Sequence, residues 1–413
     1  MDKKCSRGKV VIIGSGRSGR GLHGDFCYRE EYDLTFADID LELIKKLQKN
    51  KKYTSFTEKE NGSGFSARVI DGFHAYHIEK DREAYIEALA EADIIFTATF
   101  DDAFPSIIRD IKESLRLRMS KERDSQFLLV VGANYIGLYD YFSKAFTETF
   151  SKTEQEYFDR YGVLAEAVIY RVSSWPNTEQ RAQDELSVQS DSFDVLWVNT
   201  GHVQKADKVR LPAFFENMDD TLQFMHCKIW NVNTSHCSLA YMGQYYGYEN
   251  VCDAANDDMI RRLAYFASKE AYAGLAKRYH LPDEQDKKSV EELWKWYCGR
   301  TMKDSVIRVG NDPIRKLRRN DRFIGAALNA LDYGILPVHI CQNAAYGFYF
   351  HNEGDPRSDK MHEMIRTLGI EQTIKKICGL DPEKNEKEKL VYDLILAKYY
   401  DLAKENPVDK YLI

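Results

Sequence analysis

Hydrophobic positions in the first half of the chain fall in short runs divided by polar or glycine-rich stretches, whereas in the second half they recur at helical spacing. Residues 10–13 form the first run, wholly apolar and rich in β-branched side chains, the composition of a strand buried on both faces. Comparable runs follow at 34–38, 92–99, 126–131, 163–170 and 194–198, and helical patterns lie between several of them, including 40–48 and 104–118. Alternation of this kind predicts an α/β fold with a doubly wound parallel sheet and a ligand at the C-terminal strand ends. Beyond a polar stretch at 199–208 the pattern becomes mainly helical, over 219–242, 257–279, 290–296, 322–330, 359–368 and 386–405. No internal repeat is evident. The expected division is a sheet domain over 1–205 followed by a mainly helical domain over 206–413.

A chain of 413 residues with 44% apolar content is long enough for two cores. Its net charge of −7 gives no reason to expect nucleic acid or an anionic membrane as partner, which leaves small molecules. The eight cysteines are scattered, with no Cys-x-x-Cys and no Cys/His cluster at zinc-ligand spacing. They read as reduced thiols of a cytoplasmic protein. No signal-like apolar segment precedes the first strand, and no apolar run is long enough to span a bilayer.

The first strand runs directly into Gly14-Ser-Gly16-Arg-Ser-Gly19-Arg-Gly21-Leu-His-Gly24. A buried strand, a Gly-x-Gly-x-x-Gly turn and a helix start make the dinucleotide fingerprint of a Rossmann domain, in which small residues let the backbone approach a pyrophosphate. The second strand ends at Asp38, where the fingerprint places a carboxylate for the ribose 2′-hydroxyl. That acid repels a 2′-phosphate, and no arginine follows it directly, so NAD is favoured over NADP. Thr97 and Thr99 end another strand, where they line the nicotinamide pocket or serve the sheet.

In the second half, candidate chemistry lies at Lys228-Ile-Trp-Asn-Val-Asn-Thr-Ser-His236. The run 219–242 has no Gly or Pro, which predicts one helix through it. At roughly 100° per residue, Lys228, Asn233 and His236 share an arc of about 140°. A lysine flanked by Phe224, Met225, Ile229 and Trp230 is partly desolvated, which lowers its pKa toward that of a useful base. An asparagine amide can donate to a developing alkoxide or carbonyl oxygen, and an imidazole can orient the lysine or a substrate hydroxyl. Spacing alone also suits an ordinary polar helix face.

Lys-x4-Asn-x2-His is the signature of the polyol-specific long-chain dehydrogenases and reductases, the mannitol dehydrogenase family, which this chain resembles. The continuation from Asn233 through Ser-Leu-Ala-Tyr-Met-Gly243 is similar to their mannitol-1-phosphate 5-dehydrogenase branch, as is the glycine turn with its extra Arg20-Gly21. The resemblance implies that Asn134 supplies a second amide to the oxyanion site. It also implies that the segment containing Arg308, Arg315 and Lys316 closes over the substrate, where paired cations hold a sugar phosphate by charge-assisted hydrogen bonds. Arg318 and Arg319 follow, so a solvated basic face is the alternative. The chain departs from the family pattern at Ala133, where an acid is usual, at Tyr170 in place of an aspartate, and at Gly299-Arg300. His226 and His351 are expected to be structural.

The implied reaction is metal-independent, reversible hydride transfer between NAD(H) and a polyol or ketose, with mannitol 1-phosphate and fructose 6-phosphate as the leading pair. Lys228 acts as general base, Asn134 and Asn233 as donors, and His236 as the orienting group. The alternatives are an oxidoreductase of an unphosphorylated polyol or hexuronate, and an NAD-binding sensor or scaffold without turnover. A monomer or weak homodimer is expected.

Overall fold

The computed structural model describes residues 6–59, 64–299 and 304–405. It divides into two compact units between Thr221 and Leu222. Among the described residues no helix is long and apolar enough to cross a membrane.

The first unit is built on strands β1 (Lys9–Ile13), β2 (Asp33–Asp38), β3 (Lys52–Glu58), β4 (Phe65–Asp71), β5 (His74–His77), β6 (Ile94–Thr97), β7 (Phe127–Val131), β8 (Gly162–Val168), β9 (Ser173–Ser174), β10 (Val188–Ser190), β11 (Leu196–Asn199) and β12 (Phe215–Met218). The main sheet has the order β12-β11-β8-β7-β6-β1-β2-β5, in which β5, β2, β1, β6, β7 and β8 run parallel. Val10, Ile12, Phe96, Leu128 and Val130 pack on one face with Leu22 and Phe26. Val11, Ile13, Ile95, Leu129 and Val131 pack on the other with Ile107, Ile111 and Phe142. Both faces are covered, so both alternating sets are apolar, which is why these strands appear in the sequence as continuous hydrophobic runs.

Two expectations change here. The strand expected to join the parallel set at 194–198 is β11, which pairs antiparallel with β8. Between them the chain detours through β9, the short helix Thr178–Gln183 and β10, and it returns in the opposite sense. The domain boundary expected near 205 falls inside this unit, because β12 lies beyond it and completes the sheet beside β11.

A smaller sheet, β4-β3-β10-β9, packs on the glycine turn. A Cβ on Gly21 would lie 2.7 Å from Ser190 Oγ, and one on Gly24 would lie 2.4 Å from the Tyr53 hydroxyl. At these two glycines the missing side chain leaves room for groups of the second sheet.

The second unit is helical. Its longest uninterrupted helix, Asp258–Tyr279, buries Ala264, Ala267, Ala271 and Gly274. A Cβ at Gly274 would come 2.9 Å from the Ala330 Cα, so helix Ile324–Asp332 can approach this closely only because the side chain is absent. The helix expected at 359–368 is the first part of Pro356–Cys378, bent where Gly369 takes φ 77°. The single helix expected over 219–242 is instead Thr221–Cys227, a π-helical turn at Lys228–Val232, and Asn233–Tyr245. In the π turn hydrogen bonds close from residue i to i+5, so the winding per residue is smaller than the α-helical step.

Candidate active site

In the first unit, Gly14 has φ +97°, and a Cβ there would lie 2.5 Å from Ala98 O; at Gly19 it would lie 1.8 Å from Gly14 O. The first glycine makes the turn and the third lets the following helical segment pack against it. At Gly16 a Cβ would meet nothing within 4 Å, which leaves the open approach a pyrophosphate requires. Asp38, half-buried at the end of β2, accepts hydrogen bonds from Ser15 N at 2.6 Å and Asp40 N at 2.9 Å. Its carboxylate therefore sits beside the glycine turn, where a ribose diol would be read. An open turn with an adjacent acceptor fits a dinucleotide.

Arg20, expected at the cofactor, is fully buried. Its Nε donates to Ser15 O at 2.8 Å and its Nη1 to Leu186 O, so it braces the turn from behind. Thr97, expected to line the nicotinamide pocket, is also buried, and its hydroxyl accepts from Gly132 N at 3.3 Å, tying β6 to the end of β7. Thr99 is half-buried. Asn134 is exposed, three residues beyond β7. Of the departures, Tyr170 packs with Phe193 and Trp197 at 5.0 and 5.6 Å between ring centres, while Arg300 lies outside the described residues.

In the second unit, the helical segment carrying the signature is buried almost throughout. From Ile229 to Gly243 every residue is buried except Val232, Asn233 and His236, and Lys228 just before them is also partly open. The polar signature thus coincides with the one open face of an otherwise enclosed segment. Burial pushes the Lys228 ammonium down to about 8, and the Arg322 guanidinium adds to the effect. Arg322 is itself buried and its Nε donates to Asp321 Oδ1 at 2.9 Å. Thr234 Oγ1 lies 2.7 Å from the Arg322 carbonyl, which pins the arginine's segment to the signature helix.

His236 lies between Trp296 and Tyr297, with ring centres 5.3 Å away in each case, and its Nε2 is 3.3 Å from Asp304 Oδ2. Burial lowers the imidazole's pKa, against which Asp304 acts. Burial would by itself raise the Asp304 carboxyl, but hydrogen bonds from His236 and Arg308 hold it down at about 2. Asp304 was not anticipated, because it comes from a distant segment and no spacing along the chain joins it to the signature; Arg322 belongs to the segment that the resemblance places over the substrate, but its influence on Lys228 was not foreseen.

The expected phosphate cations behave differently from one another. Arg308 is half-exposed and forms a two-pronged pair with Asp304, which links it to His236. Arg315 is mostly buried, with Nε 3.1 Å from Asp312 Oδ2 and Nη1 3.7 Å from Asp321 Oδ2. Lys316 does not reach outward at all. It is 5% exposed, and its ammonium donates to the carbonyls of Val309, at 2.7 Å, and Asn311, while burial pushes it down to about 7. It closes the short helix Pro313–Lys316 onto the preceding one rather than forming half of an anion clamp. Of the remaining histidines, His226 packs tilted against Trp230, with ring centres 3.9 Å apart, and bonds Tyr279, and His351 lies 3.2 Å from Asp359. Among the described residues no three His, Cys, Asp or Glu side chains group as metal ligands.

An open glycine turn with an acid beside it, and a buried helix that exposes a lysine of lowered pKa, fit a dinucleotide-dependent oxidoreductase. The chain belongs to the mannitol dehydrogenase family: the family's Rossmann domain matches residues 8–212 and its C-terminal domain residues 220–387. As a member of that family it is a dehydrogenase that uses NAD. It is 28% identical to mannitol-1-phosphate 5-dehydrogenase of Thermoanaerobacter pseudethanolicus over 95% of this chain and 98% of that one. It is 26% identical to the enzyme of the same name from Oceanobacillus iheyensis, over 94% and 98%. Among solved structures it is similar in fold to mannitol 2-dehydrogenase of Pseudomonas fluorescens, solved as a ternary complex with NAD and D-mannitol. The TM-score is 0.75, with 17% identity and coverage of 97% of this chain and 92% of that one.

Proposed function

We propose that this dehydrogenase interconverts a polyol phosphate and the corresponding ketose phosphate, mannitol 1-phosphate and fructose 6-phosphate, with Lys228 as the general base. The observation that carries the reading is the open stripe of Lys228, Asn233 and His236 on an otherwise buried segment, headed by an amine lowered to about 8. Full-length similarity to two mannitol-1-phosphate 5-dehydrogenases supports the choice of substrate.

Gly14, Gly16 and Gly19 would hold the cofactor diphosphate and Asp38 its ribose. Bound NAD supplies the hydride acceptor in oxidation and NADH the donor in reduction. In the oxidation direction neutral Lys228 takes the hydroxyl proton, and the amides of Asn233 and Asn134 donate to the oxygen as its charge develops. His236, held by Asp304, fixes the orientation of that hydroxyl. Arg308 and Arg315 are the cations assigned to the phosphate. In reduction the same lysine, as ammonium, returns the proton.

An unphosphorylated polyol or hexuronate is the second reading. It is favoured by Lys316, whose ammonium is committed to backbone carbonyls and leaves the phosphate with one fewer cation. NADH consumption with fructose 6-phosphate, fructose and two hexuronates, each repeated with NADPH, separates the two. Turnover confined to fructose 6-phosphate with NADH is the expected result, and preferential turnover of an unphosphorylated sugar would replace the first reading by the second.

A further inference from the structure

The π turn at Lys228–Val232 is closed by the Asn233 N–H, which bonds back to Lys228 O, one residue further than in the α-helix that follows. This is the rarer winding, and groups outside the backbone ladder hold it. Thr234 Oγ1 lies 2.7 Å from Trp230 O, and Val232 O accepts from Ser235 Oγ at 2.9 Å and from the Tyr297 hydroxyl at 2.8 Å. Hydroxyls placed on helix carbonyls compete with the backbone N–H groups and bend a regular helix. Thr234 and Ser235 follow the turn on its own helix. Tyr297 comes from elsewhere, the helix Lys287–Cys298, in which it is the one buried side chain. Across the turn, Asn231 Oδ1 accepts from Ser268 Oγ, on the helix Asp258–Tyr279, at 2.5 Å. All of these residues lie within the second unit.

Two residues of the turn, Asn231 and Val232, are thus tied to two other helices, one through a side chain and one through a carbonyl. Rewinding the turn as regular α-helix would rotate Lys228 by about 100° relative to Asn233 and His236, and would draw Asn231 and Val232 away from these partners. We infer that Tyr297 is a positioning residue for Lys228, acting through the Val232 carbonyl to keep the π turn wound and the amine aligned with Asn233 and His236. The hydroxyl carries this role. The ring packs beside the imidazole of His236, with centres 5.3 Å apart, and that contact does not need the oxygen.

This inference rests on Lys228 as the general base, and two readouts on the full-length protein keep the two apart. The first needs no substrate: competitive acetylation by acetic anhydride across pH, followed by mass spectrometry of the Lys228 peptide, gives the titration of that amine. The second is kcat and KM with NAD and mannitol 1-phosphate. The native amine should titrate near 8. In Tyr297→Phe, which keeps the ring, the amine leaves its place beside Arg322, and its titration should move up by about one unit or more toward 10.5. Turnover should fall roughly tenfold to a hundredfold while the KM for NAD stays unchanged. Ser268→Ala frees the turn from its other side and should move both readouts in the same direction, independently of the helix that carries Tyr297. An amine that still titrates near 8, with kcat within about threefold of native, in both variants would overturn the inference. Native turnover in Lys228→Ala would overturn the base reading beneath it.

Discussion

Lys228 allows a quantitative prediction. Burial and Arg322 bring its ammonium from the ordinary 10.5 to about 8. At neutral pH about one lysine in ten is then in the free-base form, against roughly one in three thousand at the ordinary value, a gain of about 300-fold in competent base. The sign follows from the chemistry. Oxidation needs the neutral amine, so its kcat/KM should climb about tenfold per pH unit below 8 and level off above it; reduction needs the ammonium and should fall through the same range. The assay is the initial rate of polyol-dependent NAD reduction, and of the reverse reaction, across pH at constant ionic strength. Lys228→Ala should lose roughly 10²- to 10⁴-fold in turnover and, with it, the inflection near 8. The reasoning is refuted by a native profile that inflects only near 10.5, or by a variant that keeps the inflection or stays within about threefold of native turnover.

Asp38→Ala should raise the KM for NADH roughly tenfold to a hundredfold and narrow the preference over NADPH, since a charge-assisted bond to the ribose is lost and a repulsion of phosphate removed; comparison of the two cofactors in steady state checks this. Asp304→Asn should lower turnover roughly tenfold to a hundredfold while leaving the Lys228 inflection near 8, because it frees His236 and Arg308 but not the base, and pH profiles of the variant test that separation. Lys316 has a folded pKa of about 7, below its unfolded value, so the unfolded chain holds more protons between about 7 and 10.5 and stability rises with pH across that window. Thermal melts at several pH values should show part of that rise missing in Lys316→Met, and its KM for fructose 6-phosphate should be unaffected if the lysine serves only the carbonyls of Val309 and Asn311.

The parallel strands were legible because a strand covered on both faces has no polar residue to interrupt it. The β3–β4 hairpin was not: β4 is exposed at every position but Ile70, and a solvent-facing strand leaves no hydrophobic run. The sense of β11 was hidden for another reason, since direction depends on the path of the connection and not on the strand's composition. At the site, Lys228, Asn233 and His236 could be read together because a single segment carries all three. Asp304 tunes His236 from elsewhere in the chain, which no local pattern announces, and Arg322 was legible as part of the segment resembling the one over the substrate but not as the cation that acts on Lys228. Arg20 and Lys316 were misassigned because adjacency along a motif does not say which way a long side chain turns. Both extend inward, to carbonyl oxygens that neutral side chains would leave without donors.

The π turn at Lys228–Val232 holds one residue more than the helix around it would need for the same advance. Deleting one residue between Lys228 and Asn233 would let a regular α-helix form with the lysine, asparagine and histidine in nearly their present relative bearing, whereas winding the existing residues as regular α-helix would swing the lysine by about 100°. The bearing of the base is therefore set by the winding of this turn and not by the identity of any side chain. Such a turn works like a coupling with slack in a shaft: it takes up one added residue while all three reacting groups keep their alignment. Within a fold of this kind, rewinding one turn re-aims the amine and leaves every functional residue in place.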